Sequence, residues 1–136
     1  MNVALTQLGN SGGQPYWEFC GWPERVEWCA CFITWCGEQC GYIEAGLLPM
    51  TSSPWVQTEF FKEKNRWMDG GVTPNPGMVI FFDWYGNGLP DHVGFVEYVE
   101  DGVVHTVEGN SGDAVQQNSY PVGDGCIMGY GVIGEK

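Results

Sequence analysis

The stretch that decides the fold is residues 91–110, which read DHVGFVEYVEDGVVHTVEGN. Two strand-like runs flank the turn residues Glu100-Asp101-Gly102, a pattern typical of a β-hairpin. Further strand-like runs occur at 78–82 and 127–132, whereas the apolar residues of 24–39 recur at helical spacing. A second helix is predicted over 55–68. Because helices come first and strands afterwards, we predict an α+β fold with an antiparallel sheet.

The hairpin turn leaves two strand registers open. A two-residue loop places Glu108 opposite Phe95, on the face away from His92. A three-residue loop with Gly102 in the left-handed conformation places Glu108 opposite Gly94 instead. In that second register the carboxylate lies diagonal to His92 on the same face of the sheet.

The second register brings three functional groups together. His92 then faces Asn110, with Glu108 beside both. An imidazole, a carboxylate and an amide side by side are the composition of a general base with its orienting groups. The same register pairs the second histidine, His105, with Glu97 on the opposite face. We therefore interpret His92 as a catalytic base and His105 as a surface residue.

Five of the six cysteines lie between residues 20 and 40. Four thiols within 29–40 suggest zinc, but on a helix Cys31 lies about 160° from the stripe that the other three form, so they cannot converge on one ion. A disulfide between Cys36 and Cys40 is disfavoured because helical side chains one turn apart are poorly directed for a bridge. Cys29 is the candidate nucleophile because unpaired N–H groups near a helix start favour a thiolate. The other cysteines are interpreted as core residues.

Length and charge limit the function classes. The chain has 136 residues, which fits one domain over 1–136, and its net charge is −12. Such an acidic chain is not expected to bind nucleic acid, since phosphate neutralisation needs Lys and Arg. No apolar run approaches the roughly 18 residues of a membrane span, and no basic segment precedes Arg25, so we expect neither a membrane anchor nor a signal peptide in this chain.

Four motifs occur in order along the chain: EWCACFITWC at 27–36, PGMVIFF at 76–82, DHVGFV at 91–96 and VEGNS at 107–111. Together they resemble CHAP domains, which are papain-like cysteine peptidoglycan hydrolases within the NlpC/P60 superfamily. The resemblance covers roughly residues 3–133. It implies a papain-like fold in which the nucleophile lies at a helix N-terminus packed on an antiparallel sheet.

The resemblance also implies roles for individual residues. Cys29 would be the nucleophile, His92 the base, and Glu108 and Asn110 the groups that orient the imidazole. The implied reaction is cleavage of amide bonds in the bacterial cell wall through a thioester acyl-enzyme. Either an N-acetylmuramoyl-L-alanine amidase or a peptide endopeptidase fits, as does an antibacterial effector toxin with the same chemistry. A catalytically decayed partner-binding module is the alternative from another class.

The expected partners and location follow from the same resemblance. Peptidoglycan is the expected substrate, and a wall-binding domain or an immunity protein are further partners to consider. We expect a monomer that acts outside the cell or in the cell wall, secreted or encoded by a phage.

The sequence departs from the papain-like pattern in front of the nucleophile. These enzymes often supply a Gln side chain to the oxyanion hole from that position, but here Trp28 precedes Cys29. The second oxyanion donor is therefore unassigned, with Gln14 as a remote candidate. Trp28, Trp84 and Tyr85 all lie beside the catalytic motifs and are predicted to contact substrate.

The segment 83–91 partly resembles a calcium-binding loop. Asp83, Asn87 and Asp91 have oxygen ligands at suitable spacing, but Tyr85 replaces an oxygen ligand and no terminal Glu follows in register. An ordinary polar turn is favoured, and no cofactor is expected.

Overall fold

A six-stranded antiparallel sheet is the centre of this computed structural model, which describes residues 1–134. Four helices precede it: α1 (Asn2–Thr6), α2 (Gln14–Phe19), α3 (Cys29–Gln39) and α4 (Pro54–Glu63). The strands are β1 (Trp67–Asp69), β2 (Val79–Phe82), β3 (His92–Glu100), β4 (Val103–Ser111), β5 (Ala114–Pro121) and β6 (Ile127–Gly131). Their order in the sheet is β1-β6-β2-β3-β4-β5, with every neighbouring pair antiparallel, so the predicted α+β fold is confirmed. Within residues 1–134, no helix has the length and apolar character needed to cross a membrane.

Helix boundaries differ from the sequence prediction in two places. The helix predicted over 24–39 begins only at Cys29. The residues just before it are irregular, and the side chains of Arg25 and Trp28 bond to Asp113 in the β4–β5 turn. The helix predicted over 55–68 ends at Glu63. Asn65, with a left-handed φ of 57°, turns the chain out of the helix and into β1. The elements α2, β1 and β5 were not predicted.

Helix α3 packs directly on β3 and β4 and is buried on almost every side, as its apolar composition predicts. Phe32 contacts Phe95 edge to face, with ring centroids 6.2 Å apart. A Cβ atom at Gly109 would lie 2.5 Å from the Cβ of Phe32, so only glycine allows the helix to approach β4 this closely. The close contact brings the first turn of α3 over the strands that carry the histidine and the carboxylate.

The β3–β4 hairpin has a two-residue turn rather than the predicted three-residue loop. Asp101 and Gly102 both adopt positive φ, 53° and 76°, the conformation that matches the twist of the flanking strands. Tyr98 therefore pairs with His105, and the predicted pairing of His105 with Glu97 is wrong. The two aromatic rings stack with centroids 4.3 Å apart.

A β-bulge at Glu97 then shifts the register by one residue. Beyond the bulge Phe95 pairs with Val107, so Glu108 comes onto the same face as His92. The hairpin thus combines both registers considered from the sequence. The bulge, and not the turn, brings the carboxylate to the histidine.

Candidate active site

The Cys29 thiol lies at the first residue of α3, with Trp28 as the preceding cap residue. The first N–H groups of a helix have no partner within the helix, so they face outward from this end. Cys29 is 5% exposed, and its side chain lies close enough to His92 to raise the pKa of the imidazole. The thiol is thus placed between the positive end of a helix and an imidazole.

His92 begins β3 and is held on both sides. Its Nε2 lies 2.8 Å from Oε1 of Glu108, which leaves Nδ1 as the ring nitrogen that can face Cys29. Burial by itself lowers the pKa of His92, but its interactions with Cys29 and Glu108 outweigh burial and raise it to about 9. The geometry therefore favours an imidazolium beside the thiol.

Glu108 is the buried carboxylate of the site, with 1% of its surface exposed. Oε2, the oxygen not used by His92, accepts hydrogen bonds from Thr106 Oγ1 at 2.5 Å and from the Tyr120 hydroxyl at 2.8 Å. Burial raises the pKa of Glu108, but the hydrogen bonds from His92 and the two hydroxyls outweigh it, and the net pKa is lowered. The carboxylate is therefore ionised and fully hydrogen-bonded in the core.

Sequence reasoning missed both hydroxyl donors. Thr106 precedes Glu108 by two residues on β4 and so shares its face, a signal that was available from strand periodicity. Tyr120 lies on β5, and because that strand was not predicted, the sequence contained no indication that this phenol reaches the site.

Asn110 does not contact the imidazole. Its backbone adopts a left-handed φ of 56°, where the β4–β5 register shifts, and this turns the side chain toward the segment before α3. There its Nδ2 donates to Glu27, and its Oδ1 accepts from Arg25 at 3.0 Å. In this structure Glu108 is the hydrogen-bond partner of the His92 ring, whereas Asn110 links the segment before α3 to β4, so the predicted orientation of His92 by Asn110 stays a prediction.

His92 and Glu108 line an open cleft, and the buried Cys29 is not among its lining residues. Its walls come from the β2–β3 loop and from β3, β4 and β5: Trp84, His92, Glu108, Asn110, Ser111, Asn118 and Tyr120. A more enclosed cavity lies near the C-terminal end of α3, lined in part by Cys36 and Tyr42, but Cys29, His92 and Glu108 are not among its lining residues. Because the titratable groups converge on the open cleft, we take that cleft as the site.

Comparison with known proteins agrees with this geometry. The model of the CHAP domain family matches residues 21–110, a segment that includes Cys29, His92 and Glu108. The chain belongs to the CHAP domain family.

Two solved structures share the fold of this CHAP domain. They are the crystal structure of Ly7917, with a TM-score of 0.60 and 17% identity, and the crystal structure of Ly7917 with the hydrolyzing product of MDP, with a TM-score of 0.61 and 19% identity. Each alignment covers 95% of this chain but only 58% and 59% of the Ly7917 chains, so the domain spans less than two thirds of their length. A search of curated proteins found no match. The family match and the shared architecture confirm the predicted papain-like fold.

Trp28 does not line the cleft of this CHAP domain. Its side chain is fully buried, stacks on Tyr16 with ring centroids 5.3 Å apart, and donates its Nε1–H to Asp113 at 3.1 Å. The ring therefore packs in the core, and the structure gives no support to the predicted substrate contact.

Trp84 and Tyr85 have different surroundings although they are neighbours in sequence. Trp84 is 44% exposed, stacks on Phe82 with centroids 4.6 Å apart, and lies 6.1 Å from the His92 ring. Tyr85 is 81% exposed and lies outside the residues that line the cleft. The structure therefore brings Trp84, but not Tyr85, to the site.

The loop before β3 uses its acidic oxygens internally. Asp83 accepts the N–H groups of residues 87 and 88, Asn87 accepts that of Leu89, and Asp91 accepts that of Trp84 at 2.7 Å. These bonds form an ordinary polar turn. Within residues 1–134, no group of three or more His, Cys, Asp or Glu side chains is arranged to hold a metal ion.

Gln14, the remote candidate for the oxyanion hole, is exposed at the first position of α2. Its amide nitrogen donates to the Glu18 carboxylate at 2.6 Å. This side chain therefore has a partner of its own on the helix surface.

Proposed function

We propose that this CHAP domain hydrolyses amide bonds of bacterial peptidoglycan with Cys29 as the nucleophile and His92 as the general base. The observation that carries the proposal is the position of His92 between a thiol at a helix start and the buried Glu108 carboxylate. Membership of the CHAP family and the fold shared with Ly7917, which was solved with the hydrolyzing product of MDP, support a wall substrate.

In the proposed reaction the Cys29 thiolate attacks the carbonyl carbon of the scissile amide. As the S–C bond forms, the carbonyl oxygen becomes an oxyanion, which the Cys29 backbone N–H at the start of α3 can stabilise. The His92 imidazolium then donates its proton to the amide nitrogen, and the C–N bond breaks to release an amine. Water, deprotonated by His92, attacks the thioester and restores the thiolate with its imidazolium.

The charge state of each group fits its proposed role. The raised pKa of His92, about 9, keeps the imidazole protonated at neutral pH, as proton donation to the leaving amine requires. The lowered pKa of Glu108 keeps the carboxylate charged, so it stabilises the imidazolium and holds its ring orientation. Activity should therefore fall as the pH rises through about 9, because His92 loses its proton.

The cleaved bond is either that between N-acetylmuramic acid and L-alanine or a bond within the stem or bridge peptides. Mass spectrometry of the released muropeptides separates the two. An amidase frees the lactyl carboxyl group of the sugar, whereas an endopeptidase leaves the sugar–peptide link intact and creates a new peptide amine. On either pathway the domain acts at the cell wall, and a wall-binding domain is the partner that we propose.

The test of this function replaces the nucleophile. Cys29→Ser should lower the release of amine groups from purified cell wall by more than about 1,000-fold, since losing a nucleophile removes the covalent pathway. Cys40→Ser is the matched control because this thiol is exposed at the C-terminal end of the same helix. Wall hydrolysis by the Cys29→Ser protein at the wild-type rate would rule the mechanism out.

A second measurement separates an enzyme from a decayed binding module. A thiolate reacts with iodoacetamide at mildly acidic pH, whereas ordinary thiols do not. At about pH 6 the wild-type protein should carry one fast-reacting cysteine, which peptide mapping should identify as Cys29. Uniformly slow labelling of all six cysteines would favour the decayed module.

A further inference from the structure

We propose that Thr106 and Tyr120 are positioning residues that hold the Glu108 carboxylate so that Oε1 alone faces His92. This inference rests on the proposed function, because it concerns how the general base of that reaction is oriented. Neither residue touches the reacting atoms, and each acts through Glu108.

The geometry assigns the two carboxylate oxygens to different partners. Oε2 accepts both hydroxyl hydrogens, from Thr106 at 2.5 Å and from Tyr120 at 2.8 Å, while Oε1 lies 2.8 Å from His92 Nε2. A carboxylate without the two hydroxyl bonds can rotate about its terminal torsion and leave the imidazole. When Oε2 accepts both hydroxyl hydrogens, the carboxylate forms all three hydrogen bonds in the orientation in which Oε1 faces His92.

Both hydroxyl groups are themselves immobilised. Thr106 is fully buried on β4, and the β-branched side chain has few rotamers to choose from. The Tyr120 ring packs against Phe82 with centroids 4.7 Å apart and against Trp84 at 6.2 Å. The donors therefore stay fixed relative to the sheet that carries His92.

The surrounding charges keep the phenol protonated. Burial and the neighbouring Glu108 carboxylate raise the pKa of Tyr120, and the Cys126 and Asp124 side chains act in the same direction. The other titratable groups near Glu108 are His92 from β3 and Cys126, which directly precedes β6. Tyr120 is thus a neutral hydrogen-bond donor at all pH values at which the enzyme would work.

The experiment removes one hydroxyl at a time while keeping the shape of the side chain. Tyr120→Phe retains the ring that packs on Phe82, and Tyr98→Phe in the same sheet is the matched control, since Tyr98 stacks on His105 outside the site. At position 106, Thr106→Val removes the hydroxyl, whereas Thr106→Ser retains a hydroxyl. Thermal unfolding and near-ultraviolet circular dichroism confirm that each variant is folded.

NMR titration of His92 provides a readout that does not depend on wall hydrolysis. In Tyr120→Phe and in Thr106→Val the His92 pKa should be lower than in wild type, because a mobile carboxylate stabilises the imidazolium less well. The alkaline limb of the pH–rate profile should move down with it, and kcat should fall about 10- to 30-fold for each lost bond to the charged group. Thr106→Ser and Tyr98→Phe should behave as wild type.

A double-mutant cycle shows whether Tyr120 acts through Glu108. In a Glu108→Gln background, Tyr120→Phe should lower kcat less than twofold, because no carboxylate remains to be oriented. An unchanged His92 titration in both hydroxyl-deletion variants, with a wild-type protein that hydrolyses the wall, would overturn the positioning role. If instead wild type is inactive on the wall and the His92 titration still moves, the positioning role stands and the proposed function fails.

Discussion

The absence of a side chain at Gly94 sets the geometry of the site. A Cβ atom there would lie 2.6 Å from Cγ of Glu108 and 3.2 Å from the Val107 carbonyl oxygen. Distances this short require the Glu108 side chain to move. The space that glycine leaves is therefore the space in which the carboxylate reaches His92.

We expect Gly94→Ala to lower kcat by about tenfold or more, because displacing a catalytic group by even about 1 Å lowers the rate of the chemical step strongly. The variant should also have a lower His92 pKa by NMR, since the carboxylate would be displaced. Gly125→Ala is the control, because a Cβ there meets nothing within 4 Å. Equal activity of the two variants would contradict the role given to Gly94.

Trp84 is the aromatic residue of the cleft with a free surface. One face of the indole packs on Phe82, and 44% of the residue stays exposed near His92. This arrangement suits stacking against a flat face of a sugar ring or an amide. We infer that Trp84 binds substrate next to the scissile bond.

Trp84→Ala should raise KM about 3- to 10-fold with a smaller change in kcat, as expected for the loss of one stacking contact. Trp55→Ala provides the comparison, because Trp55 is equally exposed, at 45%, but lies on α4 outside the cleft. A KM that rises equally in both variants would indicate a general effect of surface tryptophan and not a subsite.

At the level of elements, side-chain bonds link the segment before α3 to the end of β4. Arg25 and Trp28 both donate to Asp113, while Asn110 connects to Arg25 and Glu27. The nucleophile follows this segment directly, and Glu108 precedes Asn110 by two residues. The bonds therefore set the position of Cys29 relative to the strand that carries its partner carboxylate.

Asn110→Ala tests which role this residue has. If Asn110 ties the two segments together, the variant should lose about tenfold in kcat while His92 keeps the wild-type pKa, because the imidazole loses no partner. A His92 pKa that falls as it does in Glu108→Gln would instead support the direct orientation implied by the family resemblance. Heteronuclear NMR resolves the two histidines, His92 and His105, in one titration.

At the scale of the whole molecule, charge is the dominant property. The net charge is −12, from 17 acidic and 5 basic residues. Gram-positive walls also carry anionic polymers, so the domain and its proposed substrate repel one another at long range. Salt screens this repulsion, with a Debye length that falls from about 30 Å at 0.01 M to about 10 Å at 0.1 M.

Wall hydrolysis by the isolated domain should therefore rise as NaCl increases over this range, and MgCl2 should act at lower concentrations. The comparison is a soluble, uncharged muropeptide, on which the rate should hardly depend on salt. A flat or falling profile on intact wall would contradict the electrostatic argument.

The sequence by itself was enough to predict the fold class and to single out Cys29, His92 and Glu108. Local signals were sufficient here: helical spacing for α3, alternation around Asp101-Gly102 for the hairpin, and four ordered motifs for the CHAP family. Cys29 at a helix start and His92 at a strand start follow from such short-range patterns.

Only the tertiary structure decided the partners of those residues. The bulge at Glu97 shifts the register of β3 and β4, and without it Glu108 would lie on the wrong side of the sheet. Trp28 lies in the core, and Tyr120 reaches the site from β5, 12 residues after Glu108 in the sequence. Such contacts join segments that are distant in sequence. Local sequence patterns do not predict them, because they depend on how the helices pack against the sheet.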